Sequence, residues 1–96
     1  MPIVQISQAE SREAYGAVSN RLGLASNHPA GLILHSASET ASGEVQIVDV
    51  WETAQHAGAF ERERLFPAFE AAGVTDQIAS RARPVAYEPF EYAVRK

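Results

Sequence analysis

The chain predicts an α+β fold of strand, helix, strand, strand, helix, strand. This is the ferredoxin-like βαββαβ arrangement, with a four-stranded antiparallel sheet and both helices on one face. Three observations lead to it. Along residues 44–51, Val45, Ile47, Asp49 and Trp51 alternate with Gln46, Val48 and Val50, and both rows are mostly apolar. Two stretches carry apolar residues at helical spacing, one ending near Leu22 and one at Gly73. A polar tip at residues 38–43 joins two β-rich runs as a hairpin.

Residues 2–6 read as the first strand, with Val4 and Ile6 on one face. Ser7 and Glu10 have the spacing of a capping box, so a helix is expected from there to about Leu22, with Tyr15, Val18 and Leu22 inward and Gly23 as C-cap. Pro29 disfavours a helical His28, which makes residues 26–29 a loop. The second strand is expected over 31–37, and the central strand returns from the tip over 44–51. Thr53 can cap the second helix, whose stripe holds Ala57, Phe60 and Arg64 with Leu65 and Phe69 beside it. Pro67 predicts a break near residues 65–66, with Pro67 as the first position of a short new turn, because an interior proline costs about 3 kcal/mol. Residues 74–82 are expected to connect to a last strand over 85–94, interrupted at Pro89.

Ninety-six residues predict a single domain over 1–96 with a modest core. The net charge of -4 leaves no basic patch for a nucleic-acid backbone. With no cysteine, disulfide scaffolds and thiolate metal sites are excluded. No signal-peptide pattern and no apolar run of the ~20 residues that span a membrane is present, so a cytoplasmic protein is expected. Helices on one sheet face leave the other bare. That face carries either the Asp49–Trp51 row or the Val48–Val50 row, and both are apolar enough to predict pairing with a second copy.

The run Val-Asp-Val-Trp-Glu-Thr at 48–53, the helix with Phe60, and Glu-Arg-Leu-Phe-Pro at 63–67 resemble the dimeric α/β-barrel superfamily, in particular the small antibiotic-biosynthesis-monooxygenase-like proteins. Gly-Leu-Ile-Leu-His at 31–35 before a polar hairpin fits the same group. The resemblance implies a homodimer whose two sheets form a barrel, with a ligand cavity inside it or between sheet and helices. Haem-degrading members use an Asn, a Trp and a His. Aligned on Trp51, those helix positions hold Phe60 and Glu70, and the first strand has no Asn, so haem breakdown is not expected. Of the groups that hold a phenolate in cofactor-free quinone-forming oxygenases, only Trp51, Tyr87, Tyr92 and Arg64 have counterparts, none in a matching motif.

Asp49 and Trp51 are the first candidates. An indole can stack on an aromatic ligand while a carboxylate accepts a proton; the alternative is that both build the dimer core. His35 lies across from Asp49 in one hairpin register and across from Val48 in the other. In the first, aspartate orients the imidazole as a base; otherwise His35 is a half-buried structural residue. Phe60 and Arg64 would complete a substrate-binding wall, with Arg64 holding an anionic oxygen. The remaining charges at 61–63 read as a solvated face, Tyr15, Phe66 and Phe69 read as core, and Tyr87, Phe90 and Tyr92 as dimer contact. His28, His35, His56 and Asp49 lack metal-ligand spacing, so neither a metal nor another cofactor is expected. The functional expectation is cofactor-independent oxidation or binding of a small aromatic or polyketide-like molecule, in a closed pocket of about 300 Å³ or more lined by Asp49 and Trp51. The rival is a non-catalytic dimer of the same fold with a stress-related or structural role.

Overall fold

Seven residues of β3 (Val45–Trp51) run through the middle of a four-stranded antiparallel sheet ordered β2-β3-β1-β4. The computed structural model describes residues 2–24, 26–73 and 85–93. The other strands are β1 (Ile3–Ala9), β2 (Leu32–Glu39) and β4 (Val85–Tyr87). One helix, α1 (Arg12–Leu22), joins β1 to β2. Between β3 and β4 lie α2 (Ala54–Phe60), a π-helical turn (Glu61–Leu65) and α3 (Phe66–Ala72). This is the ferredoxin-like arrangement that the element order predicts.

Three local expectations are corrected. The first helix is not capped by Ser7. Pairing of β1 with β3 continues to Ala9 opposite Val45, which holds Ser7 in the ladder opposite Ile47. Ser11 caps instead, its hydroxyl accepting from the Ala14 amide at 3.1 Å. Pro67 does fall in the first turn of a new α-helical segment, α3, as expected, but the chain does not break before it. The backbone stays right-handed at Phe60, Leu65 and Phe66, and a π turn widens the spiral just ahead of the proline. The Phe66 amide reaches back five residues to the Glu61 carbonyl. This wider turn accommodates a residue that has no N–H and whose ring would strike the preceding turn. Finally, β4 ends at Tyr87, well short of Pro89, and residues 88–93 are irregular. The expected connection over 74–82 and the strand's far end at Val94 lie outside the described residues.

The register decides which row faces the helices. Trp51 is 1% exposed and packs on Phe60, beside Leu32 and Ala57. The Val45–Ile47–Asp49–Trp51 row is therefore the helix side. The opposite face carries Val48 and Val50 with Val4 and Ile6 of β1, Leu34 of β2, and Val85 and Tyr87 of β4. Leu34, Val85 and Tyr87 remain 47%, 48% and 53% exposed. An apolar face of this breadth in a single chain is the kind that marks an interface.

Candidate functional site

Three elements converge on one imidazole. His35 of β2 stands directly opposite Asp49 of β3. The pairing runs unbroken from Glu39 opposite Val45 at the hairpin tip, which gives the first of the two alternatives, and a bulge shifts it only beyond Leu34. His35 Nδ1 lies 2.5 Å from Asp49 Oδ1. From α1, the Tyr15 hydroxyl lies 2.7 Å from His35 Nε2, and the two rings are within 13° of parallel. A carboxylate only accepts, so it assigns the imidazole proton to Nδ1. Nε2 is then left to accept from the Tyr15 O–H. The result is a relay from phenol to imidazole to carboxylate. The His35 and Asp49 side chains are 22% and 19% exposed, so the pair is partly shielded from water yet within its reach.

A second polar chain lies on the same face. Gln5 of β1 is the other cross-strand neighbour of Asp49, so Gln5, Asp49 and His35 form a row across three strands. The Gln5 carbonyl oxygen accepts from the Trp51 indole N–H at 3.1 Å, and its amide donates to the Glu61 carboxylate at 3.1 Å. Gln5 thus ties the sheet to the first residue of the π turn.

His35 and Asp49 are brought together as a bonded pair, and Trp51 and Phe60 as a ring pair with centroids 5.2 Å apart. Arg64 lies over the Phe60 ring, its Cζ 5.6 Å from the centroid, and donates to the Leu22 carbonyl at 2.7 Å. It therefore sits at the end of α1. Glu61 is corrected from a solvated charge to a half-buried acceptor, because the π turn aims it at Gln5. Tyr15 is corrected from plain core packing to a hydrogen-bond partner of His35. Sequence reasoning missed Gln5 as well. The only signal was a polar residue within a short apolar strand, and its meaning depends on a strand pairing that the sequence does not display.

His56 is occupied locally: its Nδ1 lies 2.7 Å from Thr53 Oγ1, at the start of α2. Among the described residues no group of three or more His, Asp or Glu is placed to hold a metal ion. No described helix is long and apolar enough to cross a membrane.

No family profile matches the chain, and no curated protein matches it in sequence. Solved structures do match in three dimensions. Rv0793 from Mycobacterium tuberculosis superposes with a TM-score of 0.73 at 14% identity, covering 98% of this chain and 100% of that one. A protein from Deinococcus radiodurans, described as a "putative antibiotic biosynthesis monooxygenase", superposes with a TM-score of 0.68 at 18% identity, covering 100% of this chain and 99% of that one. The chain has the antibiotic-biosynthesis-monooxygenase-like fold. At such identities the likeness concerns architecture alone, since one fold hosts many activities.

Proposed function

We propose that this chain is a small monooxygenase-like enzyme, a single domain over residues 1–96, that binds a small aromatic or polyketide-like molecule as a homodimer. The bonded Tyr15–His35–Asp49 row is the observation that carries the reading. Asp49 holds the imidazole in one tautomer, and His35 Nε2 takes the Tyr15 proton as the Tyr15 oxygen takes the substrate's. Phe60 supplies an aromatic surface braced by the buried Trp51, and Arg64 adds positive charge over the Phe60 ring. Deprotonating a phenol makes it electron-rich enough to react with dioxygen. One oxygen atom then enters the ring carbon and the other leaves as water, taking the two hydrogens that the substrate loses. The substrate supplies the electrons, so neither metal nor flavin is required. The barrel closes when the Val48–Val50 face meets its counterpart on a second copy.

The test is oxygen uptake and quinone absorbance with a panel of naphthols and anthrones, for the wild type and for Asp49→Asn. Turnover that falls about 10²- to 10⁴-fold in the variant supports the reading, in line with the usual contribution of a positioned base. Absence of turnover and a flat Trp51 fluorescence response across the panel would overturn it.

A second reading, the non-catalytic dimer, is favoured by the burial of Trp51. Its ring packs on Phe60 and its N–H is used by Gln5, so a single chain offers no free indole face. The same panel separates the two readings.

A further inference from the structure

The structure holds a cleft of about 320 Å³ away from the Tyr15–His35–Asp49 row. Its walls are the end of α1 (Arg21, Leu22), Asn27 of the following loop, Arg64 of the π turn, and Pro67, Ala68 and Ala71 of α3. Neither Asp49 nor Trp51 lines it. We propose that this cleft binds a small organic monocarboxylate with an apolar body.

Its size falls within the range of small-ligand sites, whose walls are mainly apolar with a few polar groups fixing orientation. Here Leu22, Pro67, Ala68 and Ala71 form the apolar part. The polar part is two guanidiniums and one carboxamide, with no acidic residue in the lining among the described residues. Two arginines meeting in one cleft run against the charge of the whole chain, which is -4. Arg64 is also preset. One of its nitrogens is held by the Leu22 carbonyl at 2.7 Å and its plane lies over Phe60, so little side-chain freedom remains to be lost on binding. A guanidinium has five N–H donors in a rigid fork, and the Leu22 bond uses one nitrogen.

The ligand's negative sign follows from the two guanidiniums, and its limit to a single charge from the helix end, whose negative pole opposes a dianion more than a monoanion. The last turn of α1 presents carbonyls, the negative pole of the helix, to this side of the molecule. A phosphate dianion prefers the opposite pole and a polar cradle of amides. A planar monoanion matches the arginine fork and leaves its apolar body to Pro67, Ala68 and Ala71.

The test is an NMR titration of the ¹⁵N-labelled full chain with 2-naphthoate, the neutral 2-naphthamide and inorganic phosphate. The proposal expects saturable naphthoate shifts at Leu22, Asn27, Ala68 and Ala71, with naphthamide binding at least about fivefold more weakly. Arg21→Gln, an exposed substitution outside the proposed catalytic row, should weaken naphthoate about three- to fivefold. Equal binding of naphthoate and naphthamide, stronger binding of phosphate, shifts centred on His35 instead, or no shifts at all would each overturn it. Arg64 serves both readings, but Arg21 has no part in the proposed oxygenation and Asp49 does not line the cleft, so Arg21→Gln tests this site alone and Asp49→Asn the oxygenation alone.

Discussion

Asp49 Oδ1 lies 2.5 Å from His35 Nδ1 because β2 and β3 pair in the register that sets these two residues opposite one another. The contact links residues 14 apart in sequence through a five-residue hairpin tip. On the other side of the ring, α1 delivers the Tyr15 hydroxyl. The imidazole is thus held at both nitrogens, which restricts its rotation and defines which atom can take a proton.

Tyr15→Phe tests the outer half of this relay. The ring still packs, and only the hydroxyl is lost. Stability should fall by about 0.5–1.5 kcal/mol, the usual net worth of one hydrogen bond. In ¹⁵N spectra of the imidazole, the Nε2 signal should move while Nδ1 keeps its Asp49-bonded position. Unchanged Nε2 would show that the two side chains do not meet in solution.

Trp51→Ala should be the most damaging core substitution. Trp51 is 1% exposed, and its truncation removes the contact with Phe60 and strands the Gln5 side-chain carbonyl oxygen. The expected loss is about 3–5 kcal/mol, from lost burial plus the cavity left behind. Urea unfolding followed by circular dichroism measures it, since the only tryptophan is gone. A loss below about 1 kcal/mol would mean that the site collapses freely.

Gly31→Ala should destabilise by more than an ordinary loop change. Gly31 has φ +82°, which a side chain rarely adopts, and an added Cβ would lie 2.2 Å from His56 Cγ. Backbone strain alone costs about 1–3 kcal/mol. Adding His56→Ala removes the ring atoms but leaves the His56 Cβ, 2.6 Å from the new one, and the strain, so thermal unfolding of the double variant should recover only in part. Full recovery would show that the clash alone mattered.

Val48→Asp probes the bare sheet face. The residue lies opposite Ile6 and Ser36, on the side away from the helices. If a second copy covers this face, sedimentation should change from dimer to monomer while the circular dichroism spectrum is retained. A burial-dependent interface does not tolerate an unpaired carboxylate at its centre. A wild-type chain that already sediments as a monomer at micromolar concentration would remove the barrel from the proposal.

Much of the architecture was legible in the chain because alternation and helical spacing are local properties. The β3 alternation, the Thr53 cap and the order of the elements could all be read from neighbours within a few residues. The start of α1 was misread because Ser7 and Ser11 both have capping chemistry, and only the pairing of β1 with β3 chooses between them. Pro67 was read as a break because one-dimensional rules do not contain the π turn that absorbs it.

The sequence by itself determined the fold class, the helical stripe of Ala57, Phe60 and Arg64, and the presence of His35 and Asp49 on neighbouring strands. Only the tertiary structure decided that those two side chains meet, that Tyr15 joins them, that Gln5 bonds to Trp51 and Glu61 on the same face, and that Val48 and Val50 take the bare face. The reason is physical: periodicity names the two faces of a strand, but a shift of one residue in pairing exchanges them. Contacts across the sheet and from helix to sheet set that shift, and no local run of residues encodes them.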